Sequence, residues 1–196
     1  MNIVWLVLSI AIWGLVHSWL ASLQIKSALR GILGTDGNRY YRLLYNGFSV
    51  VSILPILWLM FILPDRPLYQ VPAPWNSVMS IGQALAGLLL LTGVVQTGLF
   101  SFVGLSQLFE PETPPVLVTT GLYRLVRHPL YSAGLLFLWL TPGMSFNTFT
   151  VYAAGSLYLI VGAFFEERKL LREFGPVYDE YRKITPMFVP GLILHS

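Results

Sequence analysis

Arg127-His128 and Glu166-Glu167 are two places where ionisable side chains stand directly against long apolar runs. A guanidinium and an imidazole at one, and paired carboxylates at the other, can bind a polar ligand and give or take protons. Tyr123 precedes His128, and Tyr131 follows it by three residues. Positive charge, a histidine and two aromatic rings can hold an anionic or aromatic ligand, but Arg, His and Tyr also anchor helices at membrane borders. Both readings stand on the residues alone. The glutamates offer a similar choice. Ionisable groups at the edge of hydrocarbon mark function by default, and the plain alternative is an ion pair with Arg127 or with the basic tail. His17, next to Ser18, either hydrogen-bonds a neighbouring helix or reaches the same pocket.

The elements that must position these groups follow from composition. The chain has 196 residues, 55% hydrophobic and 11% charged, where a soluble domain carries about 25% charged residues. That composition suits a single integral membrane domain with lipid around it. The absence of cysteine removes disulfides, thiolate metal sites and cysteine nucleophiles. A spanning helix needs about 20 mostly apolar residues. Segments 3–23, 43–63 and 78–102 meet this, and the first lacks the basic n-region of a secretory signal, so it reads as a retained span. The longer apolar region 130–165 is interrupted by Pro142-Gly143, a turn signal. It divides into a short fourth helix, 129–140, and a fifth, 149–165. The expected fold is all-α, a polytopic membrane protein of about five helices, with residues 1–110 forming the first three and 111–190 a hairpin and amphipathic tail.

Charge orients this arrangement. Eleven of the 12 Lys and Arg fall in the first loop, the third connection and the tail; only Arg66 lies opposite. The positive-inside rule then places the N-terminus outside and the C-terminus in the cytoplasm. It also accounts for the pI near 9.3 without a nucleic-acid partner, and no obligate protein partner is expected. An antiparallel hairpin turning at Pro142-Gly143 brings His128 and Glu166 to its open end. Pro129 suits the first turn of a helix, and His128, preceding proline, is pushed toward extended backbone. Glu166 and Glu167 are expected to end the fifth helix, where carboxylates oppose the helix dipole. In the tail, Leu170, Leu171 and Phe174 form one stripe, and Val177, Tyr178, Tyr181 and Ile184 another. Such a segment lies along the interface or folds back over the pocket. There is no Walker loop, HExxH, EF-hand loop or GxSxG elbow, no strand-borne GxGxxG, and no metal-ligand spacing among His17, His128 and His195.

The stretch "TTGLYRLVRHPLYSAG" followed by "FFEERKLLREFGPVYDEYRKITPMFVP" resembles the isoprenylcysteine carboxyl methyltransferase and phospholipid N-methyltransferase group of membrane enzymes. The resemblance covers roughly Pro115 to Pro190: an RHPxY element, a hairpin, a Glu pair and a GxxYxxYxxxxP tail. "LFSFVGLSQLFEP" and His17-Ser18 are similar further to the methanethiol S-methyltransferase-related branch. The resemblance implies S-adenosylmethionine as cofactor, bound from the cytoplasm between hairpin and tail. It implies contacts from the backbone of Pro115, Val116, Leu117 and Val118, then from Tyr123, His128, Pro129, Tyr131 and Glu166. A carboxylate can accept ribose hydroxyls, tyrosine faces can stabilise a sulfonium, and Arg127 can pair a carboxylate. Arg127, Glu167 and His17 are the candidates for catalytic work.

Three departures qualify this. Gly162 stands where the prenylcysteine enzymes carry a substrate-binding arginine, Ala133 replaces a glycine, and Leu108 replaces a glutamine that Gln107 adjoins. The expected reaction is in-line methyl transfer to a small or lipophilic thiol, amine, carboxylate or lipid. A thiol or amine must lose a proton, to His17, His128, Glu166 or Glu167. Two alternatives remain: an NADPH-dependent intramembrane reductase of the steroid-reductase type, disfavoured by Gly134 where those enzymes often carry an acid, and a non-catalytic membrane protein.

Overall fold

The computed structural model describes residues 2–109 and 116–192, leaving aside the side chains of residues 2, 23, 26, 29–30, 32–39, 101–102 and 107–108. Helices dominate, and the elements run α1 (Asn2–Ala21), α2 (Leu23–Ile62), β1 (Pro67–Gln70), α3 (Trp75–Gln96), α4 (Leu99–Val103), α5 (Ser106–Phe109), a 3-10 turn (Gly121–Arg124), α6 (Pro129–Trp139), β2 (Gly143–Ser145), α7 (Phe146–Phe174) and α8 (Pro176–Ile184). Four helices, over Ile3–Ala21, Tyr40–Ile62, Trp75–Gln96 and Phe146–Phe174, are long and apolar enough to cross a membrane. The fold is therefore all-α and polytopic, as expected, apart from the two short strands, which pair. The chain divides into two compact units. The first holds Met1–Leu68, Gly98–Thr113 and Ser145–Ala154; the second holds Tyr69–Thr97, Pro114–Met144 and Gly155–Ser196.

In the first unit α1 packs on α2. The basic segment between the first two spans, expected as a loop, continues α2 as one helix of 40 residues. The run contains no proline before Pro55, and Ser22 caps its start by accepting the Ile25 N–H at 3.4 Å. Asn147, almost fully buried, donates to the carbonyls of Met60 (3.3 Å) and Leu63 (3.1 Å). The Asp65 carboxylate accepts the Asn147 N–H at 3.0 Å. These bonds satisfy helix-end groups that would otherwise be orphaned.

In the second unit α3 packs along α6. Glycines make the close approach possible: a Cβ on Gly93 would stand 2.7 Å from Leu130 Cδ2, and one on Gly87 3.7 Å from the Phe137 ring. Small residues at such faces let helices associate by packing where no hydrophobic effect drives them. Gly93→Leu is expected to destabilise the unit by about 1–3 kcal/mol through overpacking. Gly155→Ala, where a Cβ meets nothing within 4 Å, is expected to be neutral or to stabilise by up to about 1 kcal/mol. Melting of both variants in detergent checks the contrast; equal effects would contradict the packing argument.

With 11 residues, α6 is about 16 Å long at 1.5 Å per residue, half of a ~30 Å hydrocarbon core. Its far end is served by protein. Gln83 Nε2 donates to Phe137 O (2.9 Å) and Thr141 Oγ1 (3.0 Å). Tyr69 OH donates to Thr141 O at 3.0 Å, and Val71 N–H to Pro142 O at 2.8 Å.

Candidate functional site

Pro129 is the first residue of α6, and His128 before it has φ −122° and ψ 63°, outside the helical region, as a residue preceding proline should. The chain is thus turned so that Arg127 and His128 face back toward α7. The hairpin closes as the turn requires. Trp139 Nε1 donates to Ser156 Oγ at 2.9 Å, and at the open end His128 meets both glutamates. Contrary to expectation, α7 does not stop there; it runs on to Phe174. Glu166 and Glu167 therefore lie more than a turn inside the helix, clear of the unfavourable end of its dipole.

Glu167 is the centre of the cluster. Its Oε1 accepts from Arg127 Nε (2.8 Å), His128 Nε2 (2.7 Å) and Tyr178 OH (2.6 Å), and its Oε2 accepts from Arg127 Nη2 (3.0 Å). The side chains of Arg127 and Glu167 are 10% and 13% exposed, so this bidentate pair is largely screened from water. Arg127 Nη1 donates further to the carbonyls of Arg182 (3.0 Å) and Thr185 (2.5 Å). Four of its five N–H groups are thereby used within the protein.

The tail folds back over this cluster. Tyr178 and Tyr181 are buried, whereas Val177 and Ile184 of the same expected stripe are exposed. The positive φ of Gly175, 56°, makes the sharp turn from α7 into α8 that presents the tyrosines inward. Tyr181 OH donates to Tyr123 O at 2.5 Å. Beyond α8 the backbone forms a strap: Arg127 N–H donates to Pro186 O (2.8 Å), His128 N–H to Met187 O (3.1 Å), and Ser132 Oγ to Phe188 O (2.8 Å). Burial raises the Tyr178 hydroxyl well above its ordinary value, with the Glu167 charge adding to it. Burial also pushes Tyr181 up to about 12, so both remain protonated donors at any physiological pH.

A second set of groups surrounds His128 outside this cluster. Glu166, 42% exposed, has Oε2 3.7 Å from His128 Nδ1. Tyr131 sets its ring edge-on to the imidazole with centroids 5.4 Å apart, and the Phe188 ring lies at 5.9 Å. Burial raises the Tyr123 hydroxyl above its ordinary value, and the charge of Glu166 contributes. The structure thus brings together Tyr123, Arg127, His128, Pro129, Tyr131, Glu166 and Glu167. Val116, Leu117 and Val118 lie in the same unit, in the segment leading to the 3-10 turn; Val116 is exposed. Pro115 lies outside the described residues, as does the Gln107 side chain. His17 is in the first unit, where Nε2 pairs with Tyr45 OH at 2.5 Å and Nδ1 with Ser49 Oγ at 3.1 Å. It also stacks on Trp13 at 4.7 Å. Ser132 and the strap carbonyls were not anticipated, since backbone acceptors leave no trace in residue type. Tyr178 was assigned only to an apolar stripe; its hydroxyl, eleven residues beyond Glu167, was the available signal. Among the described residues no group of three or more His, Cys, Asp or Glu could hold a metal ion.

Comparison with known proteins gives a consistent picture. The profile of the NnrU protein family matches residues 5–141. A "Methanethiol S-methyltransferase" of Pseudomonas sp. (strain GM41(2012)) is 31% identical over 153 residues, covering 72% of this chain and 58% of the relative. "Methanethiol S-methyltransferase 2" of Bradyrhizobium diazoefficiens is 45% identical over 74 residues, 38% of this chain and 29% of that protein. A "Methanethiol S-methyltransferase" of Crocosphaera subtropica is 28% identical over 193 residues, 92% of this chain and 72% of the relative. The chain therefore spans only about three-fifths of the Pseudomonas protein and less of the first Bradyrhizobium match. No solved structure matches the chain.

Proposed function

The chain belongs to the NnrU protein family, and from that premise we propose that it is an integral-membrane methyltransferase that transfers the methyl group of S-adenosylmethionine to a small thiol of the methanethiol class. The observation that carries this reading is the second set of groups around His128. Tyr123, Tyr131 and the half-exposed Glu166 stand at one mouth of the hairpin, while Glu167 and Arg127 are occupied with each other and with the tail. The chemistry of that set fits the cofactor: Glu166 can accept ribose hydroxyls, and the faces of Tyr123 and Tyr131 attract a sulfonium. The relatives named for methanethiol S-methylation supply the class of acceptor.

Bound there, S-adenosylmethionine supplies an electrophilic methyl group on a positively charged sulfur. Tyr123, His128, Pro129, Tyr131 and Glu166, with the backbone of residues 116–118, would hold it. Arg127 and Glu167 act as positioning residues, fixing His128 and the tail. Holding the reactants in register supplies up to roughly 7–11 kcal/mol in the best cases. The cofactor enters from the cytoplasmic face and the apolar thiol from the lipid, with the N-terminus outside, as the distribution of basic residues supports.

Purified protein in detergent, given methyl-labelled S-adenosylmethionine and methanethiol, is expected to release labelled dimethyl sulfide. Tyr131→Ala and Glu166→Ala are each expected to weaken cofactor binding at least tenfold, about 1.4 kcal/mol, read by calorimetry. Folded wild-type protein that binds no cofactor would remove the proposal.

A further inference from the structure

We propose that His128 is the residue that takes the proton from the methyl acceptor, through Nδ1, so that the acceptor binds as a neutral thiol rather than a thiolate. This deepens the methyltransferase reading and rests on it. The geometry settles which ring nitrogen is available. Glu167 is a carboxylate already accepting from Arg127 and Tyr178, so the 2.7 Å contact from His128 Nε2 needs a hydrogen on Nε2. In the neutral ring that leaves Nδ1 as the bare lone pair. The group facing Nδ1 is Glu166 Oε2 at 3.7 Å, beyond hydrogen-bond reach and itself an acceptor. Two acceptors facing each other form a site that lacks one proton.

His128 is only 3% exposed; its Nδ1 edge faces Glu166, which is 42% exposed, so that edge is turned toward the more open side of the cluster. The charged and titratable groups around the ring are known from each element that packs on it. From α7 come Glu166 and Glu167; from α8, Tyr178 behind Glu167; from the α6 side, Arg127 behind Glu167 and the edge of Tyr131. Arg127 offsets the charge of Glu167, and Glu166 is left to offset an imidazolium. The strap fixes the ring's backbone through the His128 N–H.

The step balances. The thiol sulfur forms a bond to the methyl carbon as the bond from that carbon to the sulfonium sulfur breaks, and its electron pair stays on the departing sulfur as a neutral thioether. The S–H proton passes to His128 Nδ1. The resulting imidazolium lies between Glu167 and Glu166, and once the cofactor product has left, the half-exposed Glu166 returns the proton to water. A general base in this role contributes about 10²–10⁴-fold.

The test uses the full chain in detergent. His128→Gln retains an amide able to donate to Glu167 but has no basic nitrogen. At saturating cofactor and neutral pH it is expected to methylate methanethiol at least 100-fold more slowly, a loss that added cofactor does not restore. The loss should shrink to under tenfold for an electron-poor aryl thiol already ionised at that pH, and should also shrink as pH rises. Independently of activity, the ¹⁵N-histidine spectrum of cofactor-free protein should show one imidazole with Nδ1 unprotonated and Nε2 protonated at neutral pH, absent in His128→Gln. Glu166→Gln should leave that tautomer in place and, at saturating cofactor, slow methanethiol more than the aryl thiol. An Nδ1 already protonated at neutral pH, an unchanged His128→Gln rate, or an equal loss on both thiols would each overturn the inference. Wild-type protein that makes no product sinks the methyltransferase reading and this inference together. Normal turnover by His128→Gln sinks this inference alone.

Discussion

Arg127→Ala is expected to lower the stability of the hairpin-and-tail unit by about 3–5 kcal/mol, the cost of removing one partner from a buried ion pair. The guanidinium is 10% exposed and its carboxylate 13%, so water cannot replace what is lost. Glu167 would keep only His128 and Tyr178, and the carbonyls of Arg182 and Thr185 would lose their shared donor. Glu167→Ala should cost a similar amount, because it strands Arg127 instead. The double substitution Arg127→Met with Glu167→Leu should cost less than the sum of the two, since it removes both charges and fills their volume. Thermal or denaturant melts in detergent provide the measurement. Additive single and double effects would show that the pair does not work as a unit.

Deleting the chain from Pro186 onward is expected to be comparably damaging, although it removes no charged side chain from the site. Three donors lose their acceptors at once: the N–H groups of Arg127 and His128 and the Ser132 hydroxyl. Ser132 retains His128 O as an alternative at 3.0 Å, whereas the two N–H groups bond only to the strap carbonyls. Each unsatisfied buried group costs roughly 1–3 kcal/mol, and the buried Pro186 and the Phe188 ring against His128 are lost as well. A total of about 2–6 kcal/mol follows from the two stranded N–H groups. It should appear as faster proteolysis of α8 and a lower melting temperature. A truncated protein that melts like the intact chain would mean that the strap only rests on the site.

The hairpin could be read from the chain because its signals are local. Pro129 starts α6, Pro142-Gly143 marks the turn, and apolar length does the rest. The meeting of His128 with the glutamates followed from that geometry. What could not be read had physical causes. The segment between the first two spans reads as a loop because its charged and polar residues interrupt the apolar run, but α2 continues through it, with no proline before Pro55. Glu166-Glu167 looked terminal because apolarity stops at Phe165, whereas α7 continues for another two turns as a charged helix; hydropathy reports lipid contact, not hydrogen bonding. The choice between the tail lying on the interface and folding over the site was open in the sequence. It was decided by the Tyr178 and Tyr181 hydroxyls, which periodicity counts simply as apolar. Which glutamate would take Arg127 could not be known either, because adjacent residues on a helix point about 100° apart and one residue of phase reverses the answer.

The short α6 has a consequence for the membranes in which the chain can work. A spanning helix is matched to the thickness of its host bilayer and must tilt or distort the lipid when the match is poor. The end of α6 is instead fastened to Gln83, Tyr69 and Val71, so its length answers to a protein neighbour. The hairpin's registry, and with it the spacing between His128 and the glutamates, is thereby insulated from changes in acyl-chain length or sterol content that would shift a conventional span.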